Sequence, residues 1–145
     1  IHLLLGIILG KIYGNYLFFI LGSIFPDLDH ILIIIKNEFW NIKKIIKTIR
    51  FEKQFNIKYK TPLFHSVLGL ILFSLIICIF DLKGALFFGI AYFIHLLIDW
   101  ADIDEKYYLY PLKIKFKGFL KIWSKPEQIL TLILLIITCL VLIYY

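Results

Sequence analysis

Residues 128–145 form an unbroken apolar run without a charged side chain, the pattern of a helix that crosses a bilayer. Two further runs, 63–80 and 85–100, are apolar apart from His65, Ser66, Ser74, His95 and Asp99. A short Asp81-Leu82-Lys83-Gly84 turn joins them. The three runs predict three transmembrane helices. Composition agrees: the chain is 61% hydrophobic and 18% charged, whereas a soluble domain is about half apolar and about a quarter charged. Its 145 residues fit one membrane-embedded domain, 1–145, with one core.

The N-terminal stretch 2–25 is apolar too, but Gly6, Gly10, Lys11, Gly14 and Asn15 break it. A helix of about 11 residues rises only about 16 Å, half of a roughly 30 Å hydrocarbon core. The expectation is a short helical hairpin turning at 11–15, which returns His2 to the level of Asp27. Pro26 suits the first turn of a new helix, running from Asp27 past Ile35. Over 40–49, Trp40, Ile42, Ile45, Ile46 and Ile49 alternate with Lys43, Lys44 and Lys47, as in a basic amphipathic helix lying on an anionic membrane surface. Residues 50–60 read as a loop, and 101–125 as an interfacial loop or surface helix. The predicted fold is therefore all-α: an integral membrane bundle with an N-terminal hairpin, three transmembrane helices and amphipathic interfacial segments.

Eight basic residues lie between Lys36 and Lys60 and six between Lys106 and Lys125, with only Lys11 and Lys83 elsewhere. Clustering of this kind suits a nucleic-acid patch, but between apolar spans it reads as the positive-inside pattern of cytoplasmic loops. The expected location is the inner cell membrane, multi-pass, with the basic loops cytoplasmic and no nucleic-acid partner. The two cysteines, Cys78 and Cys139, lie in separate apolar runs and have no CxxC spacing, so they read as buried hydrophobes rather than a thiolate site. The opening Ile1-His2 has no starting methionine and no signal-peptide pattern, so a few residues are expected to precede it.

Chemistry concentrates in Phe25-Pro26-Asp27-Leu28-Asp29-His30. Two carboxylates and an imidazole amid apolar neighbours are costly unless they pair or bind a cation. The topology adds partners. His65 begins an outgoing helix, His95 and Asp99 end a returning one, and the hairpin returns His2, so all reach one membrane level. His95 and Asp99 are four apart and Asp27 and His30 three apart, spacings that share a helix face. His2, Asp27, Asp29, His30, His65, His95 and Asp99 are thus candidate metal ligands. Nitrogen and carboxylate donors without thiolate suit Zn²⁺, Mn²⁺ or Fe²⁺ better than Mg²⁺ or Ca²⁺, zinc foremost. Seven candidates exceed the needs of one zinc, which implies two ions or a set of orienting residues and a base.

Bland readings exist for each residue. Asp27 could cap the helix after Pro26, Asp99 could be interfacial, and Ser66 lacks the elbow motif of a nucleophile. Their joint placement favours a metal.

The set His2, Gly22-Ser23-Ile24-Phe25-Pro26-Asp27-Leu28-Asp29-His30, Phe64-His65-Ser66 and His95-Leu96-Leu97-Ile98-Asp99 resembles the YdjM/YbcI-like family of membrane-bound metal-dependent hydrolases. The likeness spans nearly the whole chain and includes Tyr110-Pro111-Leu112 where the family tends to have a Trp-Pro-Phe-like element. It implies a metal-activated water acting in the membrane. The chain departs from the family's His-Arg-Gly-x-Thr-His-Ser motif. Here the stretch is Lys58-Tyr59-Lys60-Thr61-Pro62-Leu63-Phe64-His65-Ser66, without the upstream histidine and arginine, and Lys60 is the substitute cation. More distantly, the ligand pattern is similar to all-helical zinc phospholipase C and nuclease enzymes.

The expectation is a hydrolase with one or two divalent ions at the cytoplasmic interface. Asp29 would be a ligand or base, and Lys60 would draw in an anionic substrate, a phosphoester at lipid head-group depth. A metal-stabilised scaffold or a metal transporter is the competing class, although a transporter would place ligands near the midplane.

Overall fold

The computed structural model describes residues 1–36, 41, 60–121 and 124–144. Among them, six helices carry the fold: α1 (His2–Tyr13), α2 (Tyr16–Ile24), α3 (Leu28–Lys36), α4 (Val67–Cys78), α5 (Leu82–Trp100) and α6 (Lys125–Tyr144). Apart from Asn41 and Lys60, the expected amphipathic helix and the loop at 50–60 lie outside the described residues.

The N-terminal hairpin is present as expected. α1 ends on Gly14, whose φ of 68° is left-handed, a conformation glycine adopts without steric cost. Asn15 then caps α2 by accepting a bond from the Phe18 N–H at 3.3 Å. The two helices close tightly because Gly10 meets Tyr16 and Gly6 meets Ser23. Beyond α2, a 3₁₀ turn over Phe25–Asp27 with Pro26 in its first turn leads directly into α3.

Among the described residues, three helical stretches are long and apolar enough to cross a membrane: Tyr16–Lys36, Leu82–Trp100 and Lys125–Tyr144. The count matches expectation, but the assignment differs. The run 63–80 yields only the 12-residue α4, because the chain turns through Thr61 to Ser66 before the helix begins. The Ser66 hydroxyl accepts from the Gly69 N–H at 3.1 Å and donates to the Leu63 carbonyl at 2.8 Å. Ser66 is thus a helix cap, in keeping with its lack of nucleophile signals. The N-terminal run gains length instead, since the 3₁₀ turn lets α2 and α3 follow one another.

α5 is the central helix, packed on one side by α2 and on the other by α4. Phe88, Tyr92 and Leu96 of α5 form the buried core with Phe18, Phe25, Leu70, Phe73 and Ile77 around them. Among the described residues, α6 packs chiefly along α1, and most of its apolar side chains remain exposed. The two cysteines are free, and Cys139 on α6 is exposed rather than buried as expected.

The segment 101–125 contains no surface helix among its described residues before α6. It forms a two-stranded antiparallel sheet, β1 (Glu105–Lys106) with β2 (Phe116–Lys117), Glu105 opposite Lys117. The alternation Lys113-Ile114-Lys115-Phe116-Lys117 is the period-two pattern of a strand, and it outweighs any helical reading here.

α2 crosses α5 closely at Gly22, where an added Cβ would fall on the Phe88 carbonyl of α5. Gly22→Val is expected to push α2 off α5 and to destabilise the bundle by about 1–3 kcal/mol. Equilibrium unfolding in detergent measures this. An unchanged midpoint would show that α2 and α5 do not touch there.

Candidate metal centre

The site forms where α5 ends, α3 begins and the Thr61–Ser66 turn enters the bundle. Each element reaches it for a local reason. His95 and Asp99 lie on the last two turns of α5 at helical spacing. The 3₁₀ turn after Pro26 projects Asp27 and starts α3 with Asp29 in its first turn. His65 is brought in by the turn before α4, whose Phe64 carbonyl accepts a short hydrogen bond from the Tyr92 hydroxyl of α5.

Asp29 organises these groups. It is fully buried, and both of its oxygens are used. Oδ1 accepts from His30 Nδ1 at 2.7 Å. Oδ2 accepts from His65 Nδ1 at 3.1 Å and from the Thr61 N–H at 2.6 Å. His95 is oriented in the same way by a backbone group, its Nδ1–H donating to the Ser23 carbonyl at 2.7 Å. Because a carbonyl only accepts, Nδ1 carries the proton, and a neutral ring then presents a lone pair at Nε2. Carboxylate–histidine and carbonyl–histidine pairs of this kind fix the tautomer and ring of metal-binding imidazoles.

The Nε2 atoms of His65 and His95 are buried and make no hydrogen bond among the described residues. Both face the carboxylates of Asp27 and Asp99. His65 Nε2 lies 3.8 Å from Asp27 Oδ1 and 3.4 Å from Asp99 Oδ2. His95 Nε2 lies 3.6 Å and 3.7 Å from the same two oxygens. These separations exceed hydrogen-bond length, but they suit ligands around one ion. Four ligands at about 2.0–2.1 Å in a tetrahedron are roughly 3.4 Å apart. The donor set and its spacing therefore fit a divalent ion. Asp27, His65 and His95 form one group of atoms able to hold an ion, and His2, His95 and Asp99 a second. His2 stacks on His95 with ring centroids 3.7 Å apart, its Nε2 being 3.4 Å from Asp99 Oδ1.

All seven ligand candidates from the sequence thus meet where α5 ends and α3 begins. They divide in a way spacing alone does not reveal. Asp29 and His30 belong to neither ion-holding group; Asp29 is an orienting carboxylate, and His30 Nε2 lies 3.8 Å from Asp27 Oδ1. Lys60 differs from expectation. Its ammonium does not face outward but bonds Asp99 Oδ2 at 2.7 Å and Asp102 Oδ2 at 3.2 Å. Burial opposes a charge there, yet the two carboxylates outweigh it and raise the Lys60 pKa above the ordinary lysine value.

Residues the sequence reading passed over complete the site. Asp102 lies three residues after Asp99, a spacing that signals a shared face. Buried Lys106 donates to the Asp102 carbonyl at 2.9 Å, and no sequence pattern marked it. Tyr92 anchors the His65 turn from about two helical turns before Asp99, among residues that read simply as apolar.

Tyr92→Phe removes the donor to the Phe64 carbonyl and leaves that carbonyl unpaired, so a loss of about 1–3 kcal/mol is expected. Thermal unfolding of the variant in detergent tests this. Wild-type stability would show that the hydroxyl does not hold the turn.

The family model described as YdjM inner membrane protein matches residues 2–145. No curated protein and no solved structure matches the chain significantly. The match covers essentially the whole sequence, and three helices are long and apolar enough to span a bilayer: the chain belongs to the YdjM inner membrane protein family.

Proposed function

We propose that this protein is a membrane-embedded metal-dependent hydrolase acting on a phosphoester at the cytoplasmic face of the inner membrane. The observation that carries the reading is that the imidazole lone pairs of His65 and His95 each lie 3.4–3.8 Å from a carboxylate oxygen of both Asp27 and Asp99. A proton on one Nε2 serves one pair at best, whereas a cation serves all four. Charge supports the same view. The carboxylates of Asp27, Asp29, Asp99 and Asp102 stand against the ammonium groups of Lys60 and Lys106, which leaves two negative charges. Buried charges require compensation, and one divalent ion supplies it.

Access argues for chemistry rather than a closed structural site. Catalytic centres keep an open position, whereas structural ones are closed. The Asp27 side chain is 38% exposed while those of His65 and His95 are buried, so the centre opens on its Asp27 side. His65, His95, Asp27 and Asp99 would hold the ion, with His2 flanking Asp99. A bound zinc, manganese or iron ion would supply Lewis acidity and a water acidic enough to ionise near neutral pH. Asp29 keeps His65 and His30 in register. His30, partly exposed beside Asp27, is placed to hold a proton at Nε2. A phosphoester suits this chemistry because the exposed Lys113, Lys117 and Lys121 belong to the segment that follows Asp102 and Lys106, a basic stretch that favours anionic substrates. Positive-inside loops put those lysines, and the lipid head groups they attract, on the cytoplasmic side.

Three measurements test this. Elemental analysis of purified full-length chain is expected to find a divalent metal, and Asp27→Ala or His95→Ala is expected to lose it while still inserting into membranes. Equal metal content in mutants and wild type would refute the site. Asp29→Asn keeps the ligand atoms but loosens their orientation, so metal affinity is expected to fall about 10–100-fold, read by competition with a chelator. Finally, chelator-stripped protein is expected to be inactive in a screen of phosphodiesters and phosphomonoesters and to recover on adding zinc or manganese. Activity indifferent to metal, or a loaded protein inert on both classes, would overturn the hydrolase assignment.

A further inference from the structure

The ion-holding atoms do not stand alone. Asp99 Oδ2 lies 3.4 Å from His65 Nε2 and 3.7 Å from His95 Nε2, and it also accepts from Lys60 Nζ at 2.7 Å. The same ammonium bonds Asp102 Oδ2 at 3.2 Å. Lys60 Nζ and the four-atom centre therefore share Asp99 as a bridging carboxylate. Two-metal hydrolases are built this way, with two ions about 3.5–4 Å apart. The groups a second ion would use are present: His2 Nε2 is 3.4 Å from the other Asp99 oxygen, and Asp102 adds a carboxylate beyond it.

We propose that the Lys60 ammonium takes the place of a second metal ion, making the centre one divalent ion plus one built-in organic cation. The inference rests on the metal reading above and specifies its stoichiometry. Three features support it. The Lys60 side chain is only 13% exposed, so it is committed to the interior rather than to bulk solvent. Its two partners are both carboxylates, the ligand type hard and borderline cations share. The cluster's four carboxylates and two ammonium groups leave the charge of a single divalent ion. A second ion would turn that balance positive, whereas removing the ammonium makes room and leaves three negative charges for two ions to satisfy. A lysine amine cannot be lost to chelators, so the position is filled at every metal concentration.

Zinc per chain, measured on detergent-purified full-length protein after dialysis against buffered zinc, tests the proposal. Wild type is expected to hold one ion. Lys60→His, which offers an imidazole, and Lys60→Ala, which leaves space and unpaired carboxylates, are each compared with it, with helical content checked by circular dichroism. A second zinc in either variant supports the proposal. Two ions in wild type, or one ion in both folded variants, overturns it while leaving the metal reading intact. No ion in wild type overturns both. A wild-type count of two or of none overturns the proposal even where a variant does not fold, and Lys60→Gln, which removes the charge but keeps most of the side chain's length, replaces a variant that fails to fold.

Discussion

Burying a carboxylate away from water is tolerable only when each oxygen finds donors, and Asp29 meets that demand with three of them: His30, His65 and the Thr61 backbone. This arrangement joins α3 to a chain segment more than thirty residues away. It holds the Thr61–Ser66 turn in the bundle and turns His65 toward His95. The Tyr92 hydroxyl and the Ser23 carbonyl complete the frame, one tying α5 to the turn and the other tying α5 to α2. The site's geometry thus follows from hydrogen bonds that fix imidazole rings before any ion is considered.

Packing serves the same end. The helices that hold the site approach one another through small residues: Gly22 against the α5 backbone, Gly69 against Leu63 and Tyr92, Gly6 against Ser23. Lipid gives little hydrophobic drive for helices to associate, so close backbone approach and polar pairing carry the association. The outward faces can then stay apolar, as they do on Leu17, Ile71, Leu86, Leu97 and nearly all of α6. The buried ionisable groups gather around the site, and apolar side chains dominate the outer faces of the helices, as a membrane protein requires.

Electrostatics links the two halves of the site. Asp99 receives Lys60 on one side and faces His65, His95 and His2 on the others, so it belongs both to the candidate metal centre and to the ion network of the following loop. Lys60 and Lys106 enter that network from different segments and meet at Asp102. These two lysines are in this way folded into the acidic interior rather than displayed at its mouth.

Much of this could be read along the chain. Apolar run length gave the helical membrane class, glycine and asparagine at 14–15 gave the hairpin, and charge clustering brought the four histidines and three aspartates to one level. These are local or one-dimensional signals, and local physics carries them. The rest needed the third dimension. Whether 63–80 or 16–36 supplies a long span depended on a turn held by Asp29 and Tyr92, partners distant in sequence. Which residues present lone pairs and which merely orient them depended on which ring nitrogen met a carbonyl or carboxylate. The inward commitment of Lys60 depended on two aspartates some forty residues away. A sequence specifies which groups need partners; only the folded chain decides which partner each one meets, because that choice is made by distances that spacing along a helix does not contain.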